Sequence, residues 1–141
     1  MSFEKSCGAI VFRDALTEDG KKQRFVLMIK HSPASNHSFP KGHVESGETE
    51  HETAVREVFE ETSVSICIKS SFRHPVYYRP RPGVKKEVVY FLAHTDQIET
   101  SPAVGEVAFV EWVPVEKAPA LLAHENDRRV LSHAIAFCKG E

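Results

Sequence analysis

Residues 42–64 read GHVESGETEHETAVREVFEETSV, and this stretch carries the signals of a helix start and of a buried helix face. Thr49 and Glu52 have the spacing of a capping box, in which each side chain binds the backbone N–H of the other residue. After them, apolar side chains recur at helical spacing, at Ala54, Val55, Val58 and Phe59. The stretch therefore predicts an amphipathic helix that begins near Thr49 and packs one face against a core.

The same helix brings three glutamates onto one face. Glu57, Glu60 and Glu61 stand at positions i, i+3 and i+4, and like charges at this spacing repel each other by roughly a few tenths of a kcal/mol per pair. A divalent cation such as Mg²⁺ prefers oxygen ligands and is often shared with substrate phosphates, so it would remove that repulsion. A solvated acidic face without a metal is the alternative that these three residues leave open.

The wider spacing of glycine and charged residues resembles a known signature. It matches the Nudix box, G-x5-E-x7-R-E-U-x-E-E-x-G-U with U a bulky aliphatic residue, at Gly42, Glu48, Arg56, Glu57, Glu60 and Glu61. Val58 and Val64 fill the two U positions. With each residue type near roughly 7% of composition, a chance match at the six glycine and charged positions is on the order of 10⁻⁷ per starting point. Ser63 replaces the last glycine of the pattern, so the helix ends either in a strained left-handed residue or in a different way.

Resemblance to the Nudix family implies a fold and a chemistry. The implied fold is α+β, an α/β/α sandwich around a mixed β-sheet, with a loop–helix–loop site that hydrolyses a nucleoside diphosphate linked to another group. The catalytic metal would be Mg²⁺, with Mn²⁺ as a substitute, and its implied ligands are Glu57, Glu60, Glu61 and the carbonyl of Gly42. Arg56, counted with Glu57 among the catalytic residues, would orient the cluster together with Glu48 through ion pairs.

Three further strings narrow the resemblance. FPKGHVE at 39–45, KKEVVYFLA at 85–93 and EVAFVEW at 106–112 are similar to the asymmetrical diadenosine tetraphosphate hydrolases, and the likeness covers most of the chain. It implies attack of water on diadenosine tetraphosphate to give ATP and AMP, with Lys41 and His43 binding the polyphosphate. It also implies a general base at Glu106, six positions before Trp112. Glu57, or a water activated by the metal without Glu106, is the alternative.

Charge is divided unevenly along the chain. Residues 42–62 contain seven acidic residues and one arginine, whereas residues 69–86 contain six basic residues and no acidic one. In and after the basic segment, cations suit phosphate oxygens and tyrosines offer flat surfaces for a nucleobase. Tyr77 and Tyr78 cannot both face a site, because neighbouring strand residues point to opposite faces. The candidate substrate contacts are Tyr78, Lys85, Lys86 and Tyr90. Two solvated faces that attract each other are the alternative.

Length and composition are typical of one globular domain, which we expect to span residues 1–141. No apolar run approaches the ~20 residues of a membrane span, and the N-terminus lacks the layout of a signal peptide. The three cysteines have no metal-site spacing and are expected to be reduced thiols. We therefore expect a cytoplasmic monomer that acts on a small nucleotide and has no nucleic-acid or membrane partner.

The remaining elements follow from apolar alternation and turn residues. A hairpin is expected from strands at 5–13 and 24–30, followed by a long loop at 31–44. Further strands are expected at 64–68, 71–78, 87–93 and 107–113, with a turn at 79–83 and helices at 116–124 and 127–139. A mixed sheet covered on both faces accounts for this order of elements.

Other substrates of the same enzyme class stay open. They are diphosphoinositol polyphosphates, capped RNA ends and oxidised nucleoside triphosphates; RNA would favour a basic groove extending beyond residues 69–86, which the sequence lacks. A nucleotide-sensing module without catalysis is disfavoured, because such modules often lose box carboxylates and this chain keeps them. His31, His37 and His74 have no spacing that demands a metal and are expected on the surface or as minor substrate contacts.

Overall fold

The computed structural model describes residues 2–140, which form one sheet and three helices. The strands are β1 (Ser2–Leu16), β2 (Lys22–Lys30), β3 (Lys41–His43), β4 (Arg73–Arg81), β5 (Val84–His94) and β6 (Phe109–Pro114). The helices are α1 (Glu50–Thr62), α2 (Ala118–Leu121) and α3 (Glu125–Lys139). Across the sheet the strands run in the order β4-β5-β1-β2-β6, and β3 pairs with β1 off this path.

The sheet is mixed because its two long inner strands run parallel. β1 and β5 pair from Ser2 opposite Val84 to Phe12 opposite His94, whereas the other strand pairs within residues 2–140 are antiparallel. The expected α+β fold with a mixed sheet is therefore confirmed. The predicted hairpin is also present, as β1 and β2.

Alternation along β1 divides the core between two helices. Phe12 points to the face covered by α3, where it joins a cluster that includes Leu131. Val11 points to the opposite face and belongs to a cluster with Val58 of α1. Because neighbouring strand residues face opposite sides, one strand serves both layers. The sheet is thus enclosed between α1 and α3.

Helix α1 begins and ends at the residues that the sequence singled out. The Thr49 side chain accepts from the Glu52 amide and the Glu52 carboxylate accepts from the Thr49 amide, so the predicted capping box is present. At the other end, Ser63 has φ 63° and ψ 15°, the left-handed conformation that glycine usually adopts. The chain keeps the left-handed helix ending, and Ser63 carries the strain.

The first turn of α1 is tied to the sheet by ion pairs. Glu50 accepts two hydrogen bonds from the Arg73 guanidinium of β4, at 2.9 and 2.8 Å, and the Lys5 Nζ of β1 lies 2.6 Å from a Glu50 oxygen. The hydrogen bonds from Arg73 are the largest cause that lowers the pKa of Glu50 from 4.5 to about 2. The charged form of Glu50 therefore stabilises the contact between helix and sheet.

The strand expected at 64–68 is not formed. Val64 and Ile66 are buried, as the alternation predicted, but the segment is irregular. The Ser65 amide donates to the side-chain oxygen of Gln97 at 3.1 Å instead of to a neighbouring strand. The prediction was wrong because alternate burial against α1 and the sheet does not require a hydrogen-bonded partner strand.

Other elements differ from expectation in extent. The loop expected at 31–44 contains the short β3, and the turn expected at 79–83 is limited to Pro82 and Gly83 because β4 and β5 extend towards each other. The helices expected at 116–124 and 127–139 are the shorter α2 and the slightly longer α3. None of the helices within residues 2–140 has the length and apolar character needed to cross a bilayer.

Replacing Ser63 with glycine should stabilise the protein, because glycine adopts the left-handed conformation without a side-chain penalty. We expect Ser63→Gly to raise the free energy of unfolding in urea by about 1 kcal/mol. The Ser63 hydroxyl donates to the Ser101 carbonyl at 3.2 Å, so Ser63→Ala loses that bond and keeps the strain, and it should not stabilise. Because Ser63→Gly and Ser63→Ala both lose this bond, equal stability of the two variants would show that the left-handed residue stores no strain.

Glu50→Gln should reveal a contribution to stability that depends on pH. Since the folded-state pKa lies below the ordinary value, the stabilisation is present above pH 4.5 and is lost as the pH falls from 4.5 towards 2. In urea unfolding the variant should be about 1 kcal/mol less stable than the unchanged protein at pH 7. That difference should shrink at pH 3. The control is Glu125→Gln, which removes an exposed charge from α3; a Glu50→Gln effect that does not vary with pH contradicts the assignment.

Candidate active site

Strand β3 fits between β1 and α1 because two glycines leave room for it. A Cβ on Gly8 of β1 would overlap the Pro40 carbonyl and the Lys41 side chain. A Cβ on Gly42 of β3 would overlap the carboxyl of Glu57. The missing side chains therefore allow β3 to lie directly against the acidic face of α1.

The Arg56 side chain links the groups of this acidic face through hydrogen bonds. Its guanidinium donates to Glu48 at 2.6 and 2.9 Å, to Glu57 at 2.7 Å and to Glu60 at 3.1 Å. It also donates to the His43 carbonyl of β3 at 3.0 Å. The hydrogen bond from Arg56 is the main cause that lowers the pKa of Glu48 to about 2. One cation thus holds three carboxylates and the backbone of β3 in a fixed arrangement.

Glu61 is the buried member of the acidic face, with 7% of its surface exposed. One of its carboxylate oxygens accepts from the backbone amide of Lys41 at 2.8 Å. Burial raises the pKa of Glu61 to about 7; the Lys41 amide opposes this change and the nearby charge of Glu57 adds to it. A positive charge at this position would favour the ionised carboxylate.

Glu57, Glu60 and Glu106 complete a group of interacting carboxylates. Burial is the main cause that raises the pKa of Glu57, and the charges of Glu60 and Glu106 contribute. The charge of Glu106 also raises the pKa of Glu61, so the predicted base lies within electrostatic range of the acidic face. Glu60 points outward, with its side chain 52% exposed.

The donor chemistry of this group suits a hard divalent cation. Among residues 2–140, no three His, Cys, Asp or Glu side chains are gathered closely enough to form a metal site. However, one oxygen of Glu57 and one of Glu61 accept no hydrogen bond from any described residue. Both carboxyls are also penalised by burial. Since Mg²⁺ takes carboxylate and carbonyl oxygens, the donor types of Glu57, Glu60, Glu61 and Gly42 suit it, and their role as metal ligands stays a prediction.

A cavity of about 420 Å³ opens between the sheet and the start of α3. It is within the usual size range of small-molecule sites, roughly 300–1,000 Å³. Lys41 borders both the acidic face of α1 and this cavity, because its amide donates to Glu61 and the residue lines the cavity. The acidic face and the cavity therefore meet at Lys41. The walls are formed by His31, Asn36, His37, Ser38, Lys41, Val76, Tyr78, Val88, Tyr90, His124, Asn126 and Asp127.

Three of the predicted substrate contacts line the cavity. They are Lys41, Tyr78 and Tyr90. Tyr90 is 2% exposed, so its ring is a rigid part of the wall. Tyr77 points elsewhere and donates its hydroxyl to Glu87 at 2.8 Å, in agreement with the strand alternation.

The other three predicted contacts lie outside the cavity wall. His43 is exposed, and its carbonyl binds Arg56. The Lys85 ammonium lies 5.7 Å from the centre of the Tyr77 ring. The pKa of Lys86 is lowered, mainly by burial and then by the charge of Lys41, so the two ammonium groups lie near each other.

Several residues of the cavity wall belong to no motif that the sequence analysis identified. The start of α3 contributes His124, Asn126 and Asp127, and no motif points to it. His31 and His37 line the cavity from the loop after β2, whose unusual length was the one indication that it has a role. His74 lies elsewhere and is 2.8 Å from a ring nitrogen of His133 on α3.

Comparison with known proteins places these features in a family. Residues 9–134 match the family model described as the NUDIX domain. The chain is 29% identical to the asymmetrical bis(5'-nucleosyl)-tetraphosphatase of Rattus norvegicus, and the alignment covers 94% of each chain. A crystal structure of a Caenorhabditis elegans Ap4A hydrolase binary complex aligns with a TM-score of 0.84 at 25% identity, covering 98% of this chain and 99% of that chain.

A second group of relatives is longer. The chain is 32% identical to an 8-oxo-(d)GTP phosphatase of Mycolicibacterium smegmatis over 90% of its own length and 40% of that protein. It spans about two fifths of the length of this relative and of another mycobacterial relative that it matches. The tetraphosphatase and the 8-oxo-(d)GTP phosphatase therefore differ in length and in the substrate that their names give.

Gly42→Ala should disturb the site through one contact, because the new methyl group overlaps the Glu57 carboxyl. We expect a loss of about 1–3 kcal/mol in the free energy of unfolding. In a Glu57→Ala background the same substitution should cost much less, since the overlapping group is gone. Gly140→Ala, where a Cβ has only ordinary contacts, is the control. Equal costs of Gly42→Ala in both backgrounds would contradict the contact.

Proposed function

The chain belongs to the NUDIX domain family, and we propose that it hydrolyses dinucleoside polyphosphates, splitting diadenosine tetraphosphate into ATP and AMP. The observation that carries the proposal is the meeting of the acidic face and the cavity at Lys41. Carboxylates suited to a metal would serve any phosphate ester, whereas a cavity walled by Tyr78 and Tyr90 adds a place for a nucleoside. The end-to-end similarity to an asymmetrical tetraphosphatase supports this substrate class.

In the proposed complex one nucleoside occupies the cavity, and the phosphate chain passes Lys41 towards Glu57 and Glu61. Lys41 carries a positive charge at the junction, where it neutralises phosphate oxygens. Lys86, whose charge is coupled to that of Lys41, extends the positive region along the phosphate chain. Lys85 and His43 lie farther out and are proposed contacts for the remaining phosphates or the second nucleoside.

Glu57, Glu60 and Glu61 would hold the divalent cation that Nudix hydrolases generally use, with the Gly42 carbonyl as a further ligand. When bound, Mg²⁺ or Mn²⁺ neutralises charge on phosphate oxygens and makes water a better nucleophile. Arg56 keeps the carboxylates in place through its hydrogen bonds to them. This arrangement prepares the negative groups before substrate arrives, which reduces the rearrangement needed for reaction.

Glu106 is the proposed general base. In this proposal its carboxylate accepts the proton of the attacking water, and its charge acts on both Glu57 and Glu61. Glu57 is the alternative base, because its second oxygen is free of hydrogen bonds to described residues.

A cytoplasmic location belongs to the same proposal. Cys7 and Cys67 are free cysteines, and Cys67 is exposed. An exposed thiol is kept reduced in compartments such as the cytoplasm, which supports this location.

A second candidate function is hydrolysis of oxidised purine nucleoside triphosphates. It is favoured by the similarity to an 8-oxo-(d)GTP phosphatase over 90% of the chain. Asn36 and Asn126 in the cavity wall can donate to and accept from the edge of a modified base. The two functions share the acidic face and differ in what occupies the cavity.

A substrate panel separates the two candidates. The full chain is incubated with Mg²⁺ or Mn²⁺ and diadenosine tetraphosphate, 8-oxo-dGTP, unmodified nucleoside triphosphates or nucleotide sugars, and the products are separated by chromatography. We expect ATP and AMP from the tetraphosphate and little product from the others. Preferred release of 8-oxo-dGMP would support the second candidate. Two molecules of ADP from the tetraphosphate, or no turnover of any compound, would contradict the proposal.

Substitutions within the acidic face test whether the activity belongs to this site. Glu57→Gln and Glu61→Gln should each lower kcat by about 100-fold or more, because a ligand for the cation is lost. Thermal unfolding should show that both variants still fold. Glu125→Gln on the exposed side of α3 is the matched control and should retain full activity.

A further inference from the structure

Glu106 lies on a tight turn whose tip is exposed. The amides of Glu106 and Val107 both donate to the Ala103 carbonyl, at 3.1 and 3.0 Å. Val104 forms the tip of the turn and is fully exposed, and the next residue, Gly105, has φ 83°. Because the tip of the turn is exposed, the direction of the Glu106 carboxylate depends on the contacts that anchor the end of the turn.

His31 supplies one of these contacts. Its Nδ1 lies 3.1 Å from the carbonyl oxygen of Glu106. Because a carbonyl oxygen only accepts hydrogen bonds, Nδ1 carries the hydrogen and donates it. The neighbouring Lys30 carbonyl accepts from the Ala108 amide at 2.8 Å. Lys30 and His31 therefore bind the chain on both sides of Val107 and anchor the end of the turn.

His31 also belongs to the wall of the cavity, together with Lys41, Tyr78 and Tyr90. His31 thus borders the space proposed for the nucleoside and holds the backbone of the proposed base. A ligand in the cavity would lie beside the residue that holds Glu106. This juxtaposition is specific to His31, since His37 lines the cavity and makes no hydrogen bond to the turn in residues 2–140.

We propose that His31 is a positioning residue: its bond from Nδ1 to the Glu106 carbonyl fixes the turn that aims the Glu106 carboxylate at Glu57 and Glu61, and couples occupation of the cavity to placement of the base. The inference rests on the proposed function, because the role of Glu106 as base comes from it. The inference adds to the proposed function that His31 positions Glu106.

Three substitutions of His31 separate the hydrogen bond from the ring. In His31→Asn the amide nitrogen stands where Nδ1 stood, in His31→Gln it lies one bond farther out, and in His31→Ala it is absent. With the substrate that the unchanged protein hydrolyses best, His31→Ala and His31→Gln should lower kcat about tenfold with KM within about twofold. His31→Asn should restore most of kcat. Equal losses in the Asn and Gln variants would overturn the proposal.

A double-mutant cycle tests whether His31 acts through Glu106. In a Glu106→Gln background the substitutions of His31 should have no further effect on kcat. If His31→Ala lowers kcat by the same factor in both backgrounds, the residue acts by another route and the proposal is overturned. Ser35→Ala is the control: Ser35 lies in the same loop, bonds Ser32 at 2.9 Å and does not line the cavity. It should leave kcat unchanged.

Amide hydrogen exchange gives a readout that does not depend on the substrate. Without ligand, exchange at residues 103–108 should be faster in His31→Ala and His31→Gln than in the unchanged protein and His31→Asn. Faster exchange in a protein that hydrolyses nothing in the panel would support the positioning contact and reject the proposed function. Unchanged exchange in His31→Ala would overturn the inference even if the tetraphosphate is cleaved.

Discussion

The hydrogen bonds of Arg56 to Glu48, Glu57 and Glu60 are the interaction on which the site depends. They let one helix present several carboxylates on a single face while part of that face is buried. Without the guanidinium, Glu57 would lie next to Glu61 without the positive charge that binds it, and burial already disfavours the ionised form of both. The same guanidinium also donates to the His43 carbonyl and so holds β3 against α1.

The sequence predicted what is encoded within one element or between neighbours along the chain. Thr49 and Glu52 marked the helix start because a capping box is local, whereas the sequence left two endings open at Ser63, and the structure shows the left-handed one. The separation of Tyr77 from Tyr78 followed from strand geometry alone. The mixed sheet and the acidic face were likewise predictable, whereas the roles of the individual site residues are still predictions.

What the sequence did not predict depends on contacts between distant segments. The segment 64–68 alternates because its side chains are buried, and no pattern tells that a partner strand is missing. His31 and Glu106 are 75 positions apart, and the hydrogen bond between them arises only when β2 and the chain before β6 lie side by side. The start of α3 enters the cavity wall through the way α3 packs on the sheet, which the periodicity of the helix does not specify.

The parallel pairing of β1 with β5 has a consequence for the growing chain. Ser2 pairs with Val84, 82 positions later, so the first strand leaves the ribosome long before its partner exists. Until Val84–His94 is synthesised, the apolar β1 has β2 on one edge and an open edge on the other, where another nascent chain can add a strand. Pairings between strands so far apart in sequence form slowly, so we expect the closing of this long loop to limit the rate of folding.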